Sequence, residues 1–303
     1  MTDSGQPSEG TGGPVAPIVG IDAGDRGPSA PAPPEQFIDA PAVVAVVVAC
    51  DPSEHFAETL ASLGGQDYEN LSVLVVDAGS KDPIADRVAE VLPNAYLHRL
   101  AGDPGFSVAA NQAIELVSGS PFLLFCHDDV ALEPDCVTEL MSELYRANGG
   151  IAGPKMVSWE DDRRLLQLGL GSDRFGVTTD LVERGEFDQD QYDAVRDVFV
   201  VPGGVQLIRA DLFAALGGFD PTIKTMGEDL DFCWRAHAAG ARVLAVPSAK
   251  AKHREAMAGR ITPGERRRLL TRHRLRTVLA TATSRRSFLT IILAFVLILL
   301  ESL

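Results

Sequence analysis

Between residues 43 and 157, apolar runs of strand length alternate with stretches whose apolar positions recur every three or four residues. Val43 to Ala49 holds only Val and Ala, which predicts a strand buried on both faces. A helix follows to about Leu63, with Asp51 or Ser53 as its cap and Gly64-Gly65 as its stop. Leu71 to Val76 predicts a second strand, and Asp82-Pro83 opens a helix ending near Pro93. Ala95 to Leu100 reads as a weaker third strand. After the turn 102–105, Phe106 to Val117 has helical spacing with Asn111 in its middle. Phe122 to Cys126 is too short for an ordinary helix and predicts a fourth strand. Glu133 to Arg146 predicts an amphipathic helix, and Ile151 to Val157 another strand. This cadence predicts βαβ units and a doubly wound, mostly parallel α/β sheet.

From Ser158 to Asp197 the periodicity fades and charge rises, as in a surface insertion. Beyond it, Val198 to Val201 is short and apolar, and Pro202-Gly203-Gly204 turns the chain. Ala210 to Leu216 predicts a helix closed by Gly217-Gly218. Met226 to Ala239 predicts another, with Gly227-Glu228-Asp229 near its start and Gly240 at its end. Arg242 to Val246 reads as the last strand, with His253 shortly after it. Three segments follow: a disordered Gly/Pro/Ser/Ala-rich tail over 1–40, an α/β domain over 41–258, and a basic helical segment over 259–303.

The last segment ends in the apolar run Phe288 to Leu300, whose one polar residue is Thr290. Thirteen residues fall short of the ~20 that span a bilayer. The run reads either as a buried helix or as the beginning of a longer transmembrane segment, and we expect the second. Arg285 and Arg286 would then hold the preceding domain on the cytoplasmic face and attract anionic headgroups.

Charge sharpens that division. The chain of 303 residues carries −15, yet from Arg260 onward nine Arg face only Glu265 and Glu301. That end is net +7 and the remainder −22, so the two parts suit different partners, and nucleic acid is not expected as one. Cys50, Cys126, Cys136 and Cys233 lack metal-site spacing and read as buried thiols of a reducing compartment.

The candidate chemistry gathers where strands end. In open α/β sheets, ligands bind outside the carboxyl ends of the strands. The second strand ends in Asp77 and the fourth in His127-Asp128-Asp129. Two adjacent acids repel unless a cation joins them, so Asp128-Asp129 reads either as a metal site carrying a diphosphate or as a turn. Glu228-Asp229 open a helix, and neighbouring helical residues point ~100° apart, so the two cannot serve one atom. Thr225 to Glu228 also has capping-box spacing, which would give Glu228 a structural task. His253 beside Lys252 and Arg254 reads, by itself, as a surface histidine.

Taken together, residues 42–256 resemble the family 2 glycosyltransferases with a GT-A fold. The resemblance is carried by Val43 to Ala49, Val75-Val76-Asp77-Ala78-Gly79-Ser80, Gly105-Phe106 with Ala110-Asn111, and Phe125 to Asp129. Gly217-Gly218-Phe219-Asp220 and Gly227-Glu228-Asp229-Leu230-Asp231-Phe232-Cys233-Trp234-Arg235 complete it. It implies an inverting transfer of a sugar from a nucleotide-diphosphate sugar to a hydroxyl of a cell-envelope glycan or lipid-linked acceptor. Asp229 would be the general base, with Glu228 beside it orienting the acceptor. Ala49, Asp51, Asp77, Gly105, Asn111 and Asp128 would line the donor site. Asp129, with His127 and His253, would hold Mn2+ or Mg2+.

There are departures from the pattern. His127 replaces the first acid of the metal motif, and Ala78 replaces the usual Asn. The Gln-x-x-Arg-Trp element of processive synthases is not evident, so the resemblance implies addition of one or a few sugars. His127 also supports a second reading, a catalytically silent module that binds nucleotide-sugar or organises a membrane complex. A nucleotidyltransferase would need a Gly-rich basic loop after the first strand, which Cys50-Asp51-Pro52-Ser53 does not offer.

Overall fold

The computed structural model describes residues 40–255 and 261–281, with residues 292 and 296. The tail expected over 1–40, apart from residue 40, and the apolar run 288–300, apart from those two positions, lie outside the described residues. Among the described residues, no helix is long and apolar enough to cross a membrane.

The first half runs β1 (Val43–Ala49), α1 (Phe56–Gly64), β2 (Leu71–Asp77), α2 (Ala85–Val91), β3 (Tyr96–Arg99), α3 (Phe106–Ala110) and α4 (Gln112–Leu116). It continues through β4 (Phe122–His127), β5 (Val130–Leu132), α5 (Cys136–Arg146) and β6 (Ile151–Ser158). The insertion supplies β7 (Leu165–Gln167), β8 (Leu170–Ser172), β9 (Thr178–Asp180) and β10 (Arg196–Asp197). Then come β11 (Val205–Arg209), α6 (Ala210–Ala215), α7 (Glu228–Ala238), β12 (Val243–His253) and α8 (Pro263–Thr281).

β1 sits inside the sheet because both its faces are covered. Val43, Ala45, Val47 and Ala49 pack in one layer with Phe56 and Leu60 of α1 and Leu140 of α5. Val46 and Val48 pack in the other with Ala109, Phe213 and Phe232. The main path of the sheet is β10-β12-β6-β11-β4-β1-β2-β3. β3, β2, β1 and β4 are parallel, as the apolar runs of β1, β2 and β4 predict.

The other half corrects the expectation of a mostly parallel sheet. β11 lies antiparallel between β4 and β6, and β10, β5 and β7 add further antiparallel pairs. The sheet is mixed. β11 follows directly on Gly203-Gly204, so its five residues look like the far side of a turn rather than a central strand. β12 also outruns its predicted end. A register shift between Val246 and Lys250 lets it pass Pro247 and keep pairing with β6 to His253↔Ser158. His253 is therefore a strand residue facing the site, not a loop residue beyond it.

Candidate active site

β1, β2 and β4 end level with one another. Ala49 is in register with Asp77, and Val48 with His127. This places the acidic strand ends on one edge. Ala49 forms the buried wall there, its carbonyl accepting the Ala78 N–H at 2.8 Å. Asp77 is buried, and its Oδ1 accepts the Ser80 N–H at 2.8 Å. Its Oδ2 lies 3.2 Å from Arg99 Nη1 but makes no hydrogen bond, so the pair is one of charge only. Arg99 donates instead to the Ser80 carbonyl at 2.7 Å. Asp51 does not cap α1. It takes a left-handed backbone (φ 48°), donates its N–H to Ser80 Oγ at 3.0 Å and accepts the Lys81 N–H at 2.8 Å. Ser53 Oγ accepts the His55 N–H, and α1 starts without a side-chain cap. Ser80 thus ties three strand ends together, a role its place in the motif did not announce.

Two residues expected to line the donor site, Asn111 and Gly105, also hold segment 219–227. The helix expected over 106–117 breaks at Asn111 into α3 and α4. The Asn111 carboxamide accepts the Phe219 N–H at 2.9 Å and donates to the Phe219 carbonyl at 2.8 Å. Gly105 has φ 90°, and a Cβ there would lie 2.7–2.9 Å from the Lys224 backbone and Cβ. Both residues therefore clamp segment 219–227. Phe219 anchors the same segment, its ring 5.1 Å from those of Phe125 and Phe213 and 5.2 Å from Phe232.

His127, Asp129 and His253 converge from β4, the turn after it and β12. One ligand atom of each lies within 4.8 Å of the others. His253 Nε2 is 3.3 Å from Asp129 Oδ1, and the two imidazoles meet edge-on at 5.5 Å. Asp129 is buried, and His253 Nδ1 is buried without a hydrogen-bond partner. Burial and then the neighbouring His253 push the His127 pKa down to about 4, against the opposing pull of Asp129. His127 is thus neutral with a lone pair to give. Two imidazoles and one carboxylate, with an orphaned ring nitrogen, fit a borderline divalent cation such as Mn2+ at least as well as Mg2+. Asp128 stands beside them, half-buried, its carbonyl accepting the Thr59 hydroxyl at 3.1 Å.

Glu228 and Asp229 approach this cluster from the start of α7. Gly227, not Thr225, is the residue before the helix, in the left-handed region, and no side chain caps it, so the capping box does not form. Asp229 Oδ2 accepts the Gly203 N–H at 3.2 Å and Oδ1 accepts the Leu230 N–H at 2.7 Å. Glu228 Oε2 is buried and unpartnered. A Cβ on Gly203 would lie 3.5 Å from Glu228 Oε1 and 3.7 Å from His127 Nε2. The Gly203-Gly204 turn, read from sequence only as punctuation, therefore separates the carboxylates from the histidines by about one side chain's width. Burial raises both carboxyl pKa values. Glu228 rises to about 8, helped by the adjacent Asp229, whereas backbone N–H bonds restrain Asp229. Two neighbouring acids whose pKa values are both raised are better suited than ordinary carboxyls to proton transfer near neutral pH.

A family model described as glycosyltransferase like family 2 matches residues 41–280. The chain belongs to that family. This glycosyltransferase family 2 domain is 25% identical over 198 residues to an O-antigen biosynthesis protein, RfbC, of Myxococcus xanthus, covering 64% of this chain but 16% of RfbC. It is 26% identical over 232 residues to an N-acetylglucosaminyl-diphospho-decaprenol L-rhamnosyltransferase of Mycobacterium tuberculosis, covering 70% of this chain and 75% of that one. The mannosyltransferase PcManGT from Pyrobaculum calidifontis, solved with GDP-Man and Mn2+, matches with a TM-score of 0.57 at 18% identity, over 85% of this chain and 69% of that one. GalNAc-T7, solved with UDP, GalNAc and Mn2+, matches at 0.58 and 13% identity, over 70% and 43%. At these identities the structures show a shared GT-A-like α/β fold with a mixed sheet.

Proposed function

We propose that this family 2 glycosyltransferase moves a sugar from a nucleotide-diphosphate sugar to a hydroxyl of a cell-envelope glycan or lipid-linked acceptor, with inversion. The observation that carries the reading is the pairing, across Gly203-Gly204, of a cation-type cluster with two acids, buried Glu228 and half-buried Asp229. Asp77 and its Ser80–Arg99 frame face the nucleoside. Asp129, His127 and His253 would hold Mn2+ or Mg2+. A divalent cation bound there supplies positive charge against the diphosphate as it leaves.

Asp229 takes the acceptor hydroxyl proton while that oxygen bonds to the anomeric carbon and the carbon–diphosphate oxygen bond breaks. Such a base contributes about 10²–10⁴-fold. Glu228, held mostly protonated at pH 7, is placed to orient the acceptor by hydrogen bonding. Both relatives' names concern envelope glycans or lipid-linked sugars, which supports the acceptor class. The exposed Arg266, Arg267, Arg268 and Arg272 of α8, with the apolar run beyond it, support attachment at the cytoplasmic membrane face.

His127 keeps the silent-module reading open, since a histidine stands where the family has an acid. A silent module has no use for adjacent acids with raised pKa values, one of them buried, which are costly to keep. Release of nucleoside diphosphate from UDP-, GDP- and dTDP-sugars with Mn2+ separates the readings. Turnover of one donor, lost in Asp229→Asn with nucleotide binding intact, is the expected result. No turnover of any donor would favour the silent module.

A further inference from the structure

Segment 219–227 carries the chain into Glu228 and Asp229, and it is gripped from two sides. The α3 side has been described: Asn111 on Phe219 and Gly105 against Lys224, to which the Ser107 hydroxyl adds a bond to the Ile223 carbonyl. The other side is α8. Arg276 pairs with Asp220 at 2.6–2.8 Å, and Thr277 Oγ1 donates to Asp231 Oδ1 at 3.1 Å. Between them His273, buried at 4% exposure, meets the Met226 carbonyl through Nδ1 at 2.6 Å. A carbonyl only accepts, so this contact fixes the proton on Nδ1.

The backbone at that contact is not relaxed. Met226 has φ 62° and Gly227 φ 107°, two left-handed residues immediately before the acidic pair. For a methionine this left-handed conformation is strained and persists only where surrounding contacts hold it. A Cβ on Gly227 would sit 3.1 Å from His273 Cβ, so the histidine packs directly on the bend. The first turn of α7 can aim its two carboxylates past Gly203 only while this bend persists.

We propose that α8 belongs to the active site as its clamp, and that His273 is a positioning residue holding the Met226–Gly227 bend and, through it, Asp229. The inference rests on the reading of Asp229 as the base. The segment that follows the α/β domain therefore sets the geometry of the chemistry, and a membrane surface that engaged the exposed arginines of α8 would act on the same clamp.

The test compares His273→Ala, His273→Asn, Arg276→Gln and Asp229→Asn with the unaltered chain. The readouts are nucleoside diphosphate release from UDP-, GDP- and dTDP-sugars with Mn2+, water taking the acceptor's place, and nucleotide affinity by titration. His273→Ala is expected to lower kcat about 10–100-fold with nucleotide Kd within about twofold, the signature of misplaced groups in a formed donor site. His273→Asn, whose amide can donate from nearly the same place, is expected to recover most of the loss. Arg276→Gln, an exposed change, is expected to lower kcat about threefold. Unchanged kcat in His273→Ala and Arg276→Gln overturns the proposal, as does equal loss of kcat in the Asn and Ala variants. Full activity in Asp229→Asn, or no release by the unaltered chain, sinks instead the reading on which it rests.

Discussion

Glycine 203 and Glu228 show how single residues set this site. A methyl on Gly203 meets Glu228 Oε1, His127 Nε2 and Asp229 Cβ at 3.5–3.8 Å, ordinary contact distances, so Gly203→Ala should fold normally. It would also occupy the space between acids and histidines. We expect an unchanged Tm and a kcat lower by about tenfold or more. Gly204→Ala is the contrasting case. Its methyl would meet Met156 Cε at 2.9 Å and the His253 ring at 3.2 Å, so Tm should fall by the equivalent of about 1–3 kcal/mol. Glu228 holds its proton to about pH 8 in the fold and loses it near pH 4–5 when unfolded. The folded state binds the extra proton in that window, so this residue's contribution to stability declines as pH rises through it. In metal-free protein, Glu228→Gln should therefore exceed the wild type in stability by about 1–3 kcal/mol at pH 8. The gap should close toward pH 5. A constant gap in thermal melts across this range would contradict the assignment.

At the scale of elements, the insertion depends on one buried cation. Lys155 of β6 is fully buried, and its Nζ bonds both oxygens of Asp188 at 3.0 Å and Asp193 at 2.8 Å. This pins residues 188–193 to the sheet. Lys155→Met leaves Asp188 with Lys250, 3.5 Å away, and should cost about 3 kcal/mol, the lower end for a broken buried pair because Asp193 is half exposed. Limited proteolysis should then begin within the insertion. None of this was visible in the charged stretch 158–197, where the partners lie more than 30 residues apart. Elements with unbroken apolar runs, β1, β2 and β4, were legible because burial on both faces leaves no ambiguity. β11 was hidden by the glycines before it, and the break at Asn111 by a partner 108 residues away. Among site residues, Asp77, Asp129, His253, Glu228 and Asp229 stood out through motif and strand-end position. Ser80, Arg99, Gly203 and His273 did not, because their roles come from contacts between elements. Only the Gly203-Gly204 doublet left a trace, and it reads as a turn.

Across the whole molecule, the level ends of β1, β2 and β4 form the proposed donor side, β12 brings His253 to Asp129, and α7 brings the acids from across the Gly203-Gly204 turn. α8, expected as a separate basic segment, packs on α7 through His273, Thr277 and Val278, and the family match extends through it. The basic helix is thus packed against the acidic domain. The central claim is a donor site completed by a divalent cation on Asp129. Calorimetric titration of UDP, GDP and dTDP, with and without Mn2+, tests it most directly. One nucleotide is expected to bind only when Mn2+ is present, and Asp129→Ala is expected to abolish this dependence. Binding that ignores both the metal and Asp129, or no binding of any of the three, would contradict it.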